Sequence, residues 1–120
     1  MGVVRGLRWL GTRTERYDEL VAFYRRAFGV EPDLEEQDFA VFRLPDGATI
    51  EVFGPSDTEH LHFDTGPVAG FTVDDIEAGR VELEAAGARF LGPTGRTDGW
   101  AWAHFLAPDG NVYELSQPAD

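Results

Sequence analysis

Pro45-Asp46-Gly47-Ala48-Thr49-Ile50-Glu51 and Pro108-Asp109-Gly110-Asn111-Val112-Tyr113-Glu114 are two versions of one stretch. Prolines follow each at the same distance, Pro55 and Pro118. The spacing is constant, since 108 − 45, 114 − 51 and 118 − 55 all equal 63. A repeat at a fixed offset marks a duplicated structural unit, and this one places a carboxylate at the same point of each copy.

The segments around each copy read alike. Gly6 to Thr12 is a first strand, and Thr12-Arg13-Thr14-Glu15 has the spacing of a capping box that opens a helix. Apolar residues at Tyr17, Leu20, Val21, Tyr24 and Phe28 form one helical face, and Gly29 terminates it. Five of the eight residues from Glu31 to Asp38 are acidic, which reads as a loop or an edge strand protected by charge. Phe39 to Leu44 and Ala48 to Phe53 then make a hairpin.

The polar, turn-rich residues 56–65 link the copies. In the second copy, Pro67 to Val73 is a strand and Asp74-Asp75-Ile76-Glu77 starts a helix that stops at Gly87. Ala88 to Leu91 is a short strand, Gly92 to Gly99 a loop, and Trp100 to Leu106 with Val112 to Ser116 the closing hairpin. Each copy is strand, helix, then strands. The expected fold class is α+β: two tandem βαβββ modules, about 1–55 and 66–118, forming a curved, mostly antiparallel sheet of about eight strands around a cavity, helices outside.

Alternation along the hairpins sets which side chains share a face. A two-residue turn would place Pro45 and Pro108 where an N–H must close the hairpin, so a loop of three or five residues is expected. Val41 then lies opposite Glu51, and His104 opposite Glu114. The glutamate face carries Phe39, Val41, Thr49, Glu51 and Phe53 in one copy. In the other it carries Trp100, Trp102, His104, Val112 and Glu114. The opposite face is almost wholly apolar and faces the helices. Two carboxylates and an imidazole among aromatics fit a ligand pocket better than a core, because unpaired buried carboxylates are costly.

The bulk properties exclude several classes. A chain of 120 residues with 42% hydrophobic content is one globular domain. A net charge of −12 excludes generic nucleic-acid binding and suits a cationic ligand or plain solubility. No cysteine and no lysine are present, so thiol and lysine Schiff-base chemistry are absent. No membrane-length apolar run occurs, and a cytoplasmic location is the default expectation.

The order of Ala22-Phe23-Tyr24 into Phe28-Gly29, the first Pro-Asp-Gly with Ile50-Glu51-Val52, Gly70-Phe71-Thr72-Val73-Asp74-Asp75-Ile76, Glu84-Ala85-Ala86-Gly87 and Ala107-Pro108-Asp109-Gly110-Asn111-Val112-Tyr113-Glu114-Leu115 resembles the vicinal oxygen chelate superfamily. That group includes glyoxalases, bleomycin-resistance proteins, fosfomycin-resistance enzymes and extradiol dioxygenases. The resemblance implies a homodimer and a small-molecule ligand. In metal-dependent members it implies a divalent ion held by a His or Gln on each module's first strand and a Glu on its last, acting as a Lewis acid.

Carried onto this chain, the glutamates are Glu51 and Glu114, and the first-strand positions fall at Trp9 and Val68. Neither Trp nor Val binds a metal, and a zinc site needs about three protein ligands. The expectation is therefore no metal cofactor, with a divalent ion on Glu51, Glu114 and His104 as the alternative. His60 and His62 are read as a surface pair in the linker. The ligand-binding candidates are Trp9, Phe39, Val41, Glu51, Phe53, Val68, Trp100, Trp102, His104 and Glu114. Three roles follow: sequestration of a hydrophobic or cationic ligand, an enzyme using shifted ligands or Glu114 or Glu51 with His104 as acid–base groups, or an interaction module with an unused pocket.

Overall fold

The computed structural model describes residues 2–118 of the chain. It consists of nine strands and two helices, in the order β1 (Val4–Arg13), α1 (Tyr17–Phe28), β2 (Leu34–Glu36), β3 (Phe39–Arg43), β4 (Thr49–Phe53), β5 (Val68–Val73), α2 (Ile76–Ala85), β6 (Arg89–Phe90), β7 (Gly95–Thr97), β8 (Trp100–Leu106) and β9 (Val112–Gln117). The class is α+β, as expected from the doubled pattern. The chain divides into two compact units, Trp9–Val68 and residues 2–8 with 69–118. The dividing points fall inside β1 and at the start of β5.

In the Trp9–Val68 unit the strand order is β2-β3-β4-β1. The hairpin pairs Arg43 with Thr49, so its loop has five residues, 44–48, closed by Leu44 N–H donating to the Ala48 carbonyl at 2.8 Å. β1 runs parallel to β4, and α1, β2 and β3 supply the long connection that a parallel pair needs. Helix α1 packs Tyr17, Val21 and Tyr24 against Ala40, Phe42, Ile50 and Val52, the apolar face predicted from alternation. The acidic segment forms the edge strand β2, with Leu34–Glu36 paired to β3. The Tyr17 hydroxyl donates to the Glu36 carbonyl at 3.1 Å, tying α1 to that edge.

The predicted capping box at Thr12 does not form. Thr12 and Arg13 are still in β1, paired with Val52 and Phe53, so the strand ladder claims them. The helix begins at Tyr17 with Arg16 as its N-cap and no side-chain cap. Gly29 ends it at φ 65°, a left-handed conformation that glycine adopts without strain.

In the other unit the order is β5-β9-β8-β6, with β7 also on β8. β7 lies in the segment expected to be loop, which brings the strands to nine. The hairpin again has a five-residue loop, 107–111, between Leu106 and Val112. Helix α2 starts one residue later than Asp74 suggested. Asp75 Oδ1 accepts from Glu77 and Ala78 N–H at 3.0 and 3.1 Å, and Gln117 Oε1 accepts from Ile76 N–H at 2.8 Å. Asp74 pairs with Arg5 instead. Gly79 sits mid-helix where a Cβ would come 3.0 Å from Leu115 and 3.3 Å from Val73, so its missing side chain lets α2 approach the sheet closely. No helix among the described residues is long and apolar enough to cross a membrane.

Candidate functional site

The register delivers the glutamate faces as the sequence implied. Val41 lies opposite Glu51, and His104 opposite Glu114. In the Trp9–Val68 unit, Phe39 pairs with Phe53 and their rings stack at 5.6 Å. The parallel ladder places Gly11 beside Glu51, Trp9 beside Thr49 and Arg13 beside Phe53. Since register partners share a face, Trp9 and Arg13 stand on the Glu51 side of the sheet. Trp9's indole folds over Gly11, where a Cβ would overlap it.

The second unit repeats this arrangement. Gly70 lies beside Glu114 as Gly11 lies beside Glu51. His104 Nε2 is 3.1 Å from Glu114 Oε1, and both side chains are largely buried, at 14% and 10% exposure. Trp102 shares their face and covers Gly95 of β7. Trp100, at the start of β8, is half exposed, and Val68 is fully buried. The first-strand positions thus carry Trp9 and Gly11 in one copy and Val68 and Gly70 in the other, with no side-chain donor atom suited to a metal. Among the described residues no group of three or more His, Asp or Glu side chains is placed to hold an ion.

The expected surface pair is only partly exposed. His60 and His62 are half-buried, because residues after β4 fold back over the Glu51 face. His60 stacks on Phe53 at 3.8 Å with 17° between planes. Phe63, 5% exposed, meets Trp9, Phe53, His60 and His62 at 6.1, 6.1, 5.0 and 4.9 Å. The loop is pinned from below: Arg13 donates to the Asp57 carbonyl at 3.0 and 3.2 Å and to the Pro55 carbonyl at 3.2 Å. These residues were missed because a polar, turn-rich composition looks like a linker. The available signal was the cluster His60, His62 and Phe63 within it.

Elsewhere in this unit a shallow cleft of about 230 Å³ is lined by Glu15, Arg16, Tyr17, Asp18, Glu19, Asp38 and Pro55, and none of the predicted site residues lines it. Burial pushes the Tyr17 hydroxyl pKa up, reinforced by the acidic residues around it, while hydrogen bonds from Ser56 hold the Asp38 carboxyl below the usual range.

A family model described as the Glyoxalase/Bleomycin resistance protein/Dioxygenase superfamily matches residues 6–115. No curated protein matches the chain by sequence. Among solved structures, methylmalonyl-CoA epimerase from Mycobacterium tuberculosis is similar with a TM-score of 0.76 and 23% identity, over 100% of this chain and 92% of that one. The Mn(II)-bound glyoxalase from Novosphingobium aromaticivorans is similar with a TM-score of 0.74 and 22% identity, over 98% of this chain and 40% of that one. A hypothetical protein from Bacillus halodurans gives 0.71 and 17%, over 96% and 95%. At these identities the structures speak for the fold. The family match covers the duplicated Pro-Asp-Gly hairpins, both glutamates and both helices, and with it this chain belongs to the glyoxalase/bleomycin resistance protein/dioxygenase superfamily.

Proposed function

We propose that the chain binds a small hydrophobic or cationic aromatic molecule through its glutamate-bearing sheet faces, and sequesters it without a complete metal site. The observation that supports this most is the replacement of donor side chains on the first strands. Beside Glu51 and Glu114 stand Gly11 and Gly70, with Trp9 and Val68 two residues earlier. An aromatic surface with carboxylates suits a cation or an apolar ring. The acidic net charge favours approach of a cation. Calorimetry or tryptophan-fluorescence titration with cationic and anionic aromatic compounds tests this. Binding confined to the anionic set overturns it, and stoichiometric metal in protein purified without added ions overturns the metal-free part.

A second reading has its own support in the largely buried His104–Glu114 pair. Such a pair serves proton transfer, with Glu114 or Glu51 as the base and His104 as its partner. Two of the structurally similar proteins are an epimerase and a glyoxalase. Solvent-deuterium incorporation into a carbon acid, lost in Glu114→Gln, distinguishes catalysis from sequestration. The homodimer implied by the family resemblance is also proposed, and sedimentation equilibrium tests it.

A further inference from the structure

Helix α1 carries a second stripe, on the side away from its buried residues Tyr17, Val21 and Tyr24. Glu19, Ala22, Phe23 and Arg26 fall at i, i+3, i+4 and i+7, so they share one helix face. Phe23, at its centre, is 52% exposed. Its ring meets those of Tyr24 and Phe28 at 6.0 Å, and Phe28 is itself 50% exposed. Two adjoining half-exposed rings make a patch, unlike a lone apolar residue on a surface. The ends of the stripe carry opposite charge, with Asp18 and Glu19 in the first turn and Arg25 and Arg26 in the last. Arg25 is taken by Glu31 and Glu35 at 3.2 and 2.7 Å. Arg26 is exposed and joins no ion pair among the described residues. Arg16 donates to Glu19 at 3.1 and 2.6 Å, and the carboxylate keeps lone pairs for a further donor. The helix dipole accounts for which sign sits at which end. It does not account for the bare aromatic patch between them.

We propose that this face is where two copies of the chain meet, α1 against α1 of the second copy, antiparallel about a two-fold axis passing between positions 22 and 23. That axis sets Glu19 of each copy against Arg26 of the other. It also sets each Phe23 against the small Ala22 of the other copy. The stripe complements itself only when turned end for end, which is the condition for an isologous contact. Parallel helices would oppose like charges. This rests on the homodimer reading above and adds to it a surface and a register.

The test is sedimentation equilibrium at several protein and salt concentrations, with circular dichroism to follow folding. Glu19→Arg and Arg26→Glu each turn both symmetry-related pairs from attractive to repulsive. Each should weaken the dimer roughly tenfold at low salt, and less at high salt. Combining the two exchanges restores opposite charges, and affinity should return to within about threefold of the wild type. Phe23→Ala should weaken the dimer by roughly tenfold or more, as loss of a central aromatic does. The chain has no cysteine, so Ala22→Cys supplies one thiol beside the axis, and oxidation with diamide should join two copies. That small change keeps the test open if a charge variant fails to fold.

A dimer indifferent to the charge and Phe23 changes overturns the proposal and leaves the homodimer reading standing. So does a combined variant as weak as the single ones, since the register would then be wrong, or an Ala22→Cys dimer that does not cross-link. A wild type that stays monomeric throughout overturns both.

Discussion

Trp9 lies across Gly11, two residues further along β1, so closely that a Cβ at position 11 would overlap the indole. Gly11 in turn is the register partner of Glu51. The indole therefore lies beside Glu51 on the same face of the sheet. Gly11→Ala is expected to displace the ring at a cost of about 1–3 kcal/mol, the usual range for overpacking. The change should appear together in the urea midpoint and in tryptophan emission. An unaltered emission spectrum would show that the ring has room elsewhere.

Gly79→Ala reverses the ordinary helix preference. On an open helix face the change gains up to about 1 kcal/mol. Here the new methyl meets Leu115 at 3.0 Å and Val73 at 3.3 Å, both buried. A net loss of about 1–2 kcal/mol is expected from equilibrium unfolding, against the helix-propensity gain. A stabilised Ala variant would mean that α2 shifts outward freely.

Asp75→Ala removes the acceptor for two N–H groups at the start of α2. The expected cost is about 1 kcal/mol. The Gln117 contact to Ile76 remains, so the helix should fray rather than unfold. Faster amide exchange at Glu77 and Ala78 than at Leu83 is the observation to seek.

His104→Leu leaves the Glu114 carboxylate without the imidazole 3.1 Å away, in a position only 10% exposed. A loss of about 1–3 kcal/mol is expected at neutral pH. His104→Gln, which retains a donor, should lose less. Equal losses would locate the contribution of His104 in its volume instead of its hydrogen bond.

Two sets of groups shape the pH dependence in opposite directions. The Asp38 carboxyl is held low by the Ser56 hydroxyl and N–H. A folded pKa below the unfolded one gives stability that is present above about pH 4 and is lost as pH falls through the folded value. Burial raises Tyr17 and Tyr24. Their contribution is present below about pH 10 and is lost as pH rises from there through the folded values. Urea midpoints across pH should fall at both ends. Asp38→Asn should flatten the acid limb, and Tyr24→Phe the alkaline one.

Much of the fold was legible because duplication and alternation are local signals. That the hairpin loops are odd, of three or five residues, follows from a proline that lacks an N–H, and the pairs Val41 with Glu51 and His104 with Glu114 follow from either length; the structure selects five. Thr12 misled because its capping pattern competes with a parallel ladder to β4, a long-range partner that no local window contains. β7 escaped because Gly95-Arg96-Thr97 has little strand character and owes its state to pairing with β8. His60 was read as surface because Arg13, 44 residues before Asp57, is what anchors its loop.

The allocation of β1 between the two units has a practical edge for anyone cutting or tagging this protein. Gly6 accepts from Thr72, Arg5 pairs with Asp74, and Val3 packs on the Val73–Leu115 cluster, so the leading residues complete the later half of the chain. A nick or a bulky fusion at the front would loosen the strand that leads into α2 before it disturbed α1. Dividing the gene at the linker would leave the later fragment without its own leading residues, which the earlier one would carry away unused.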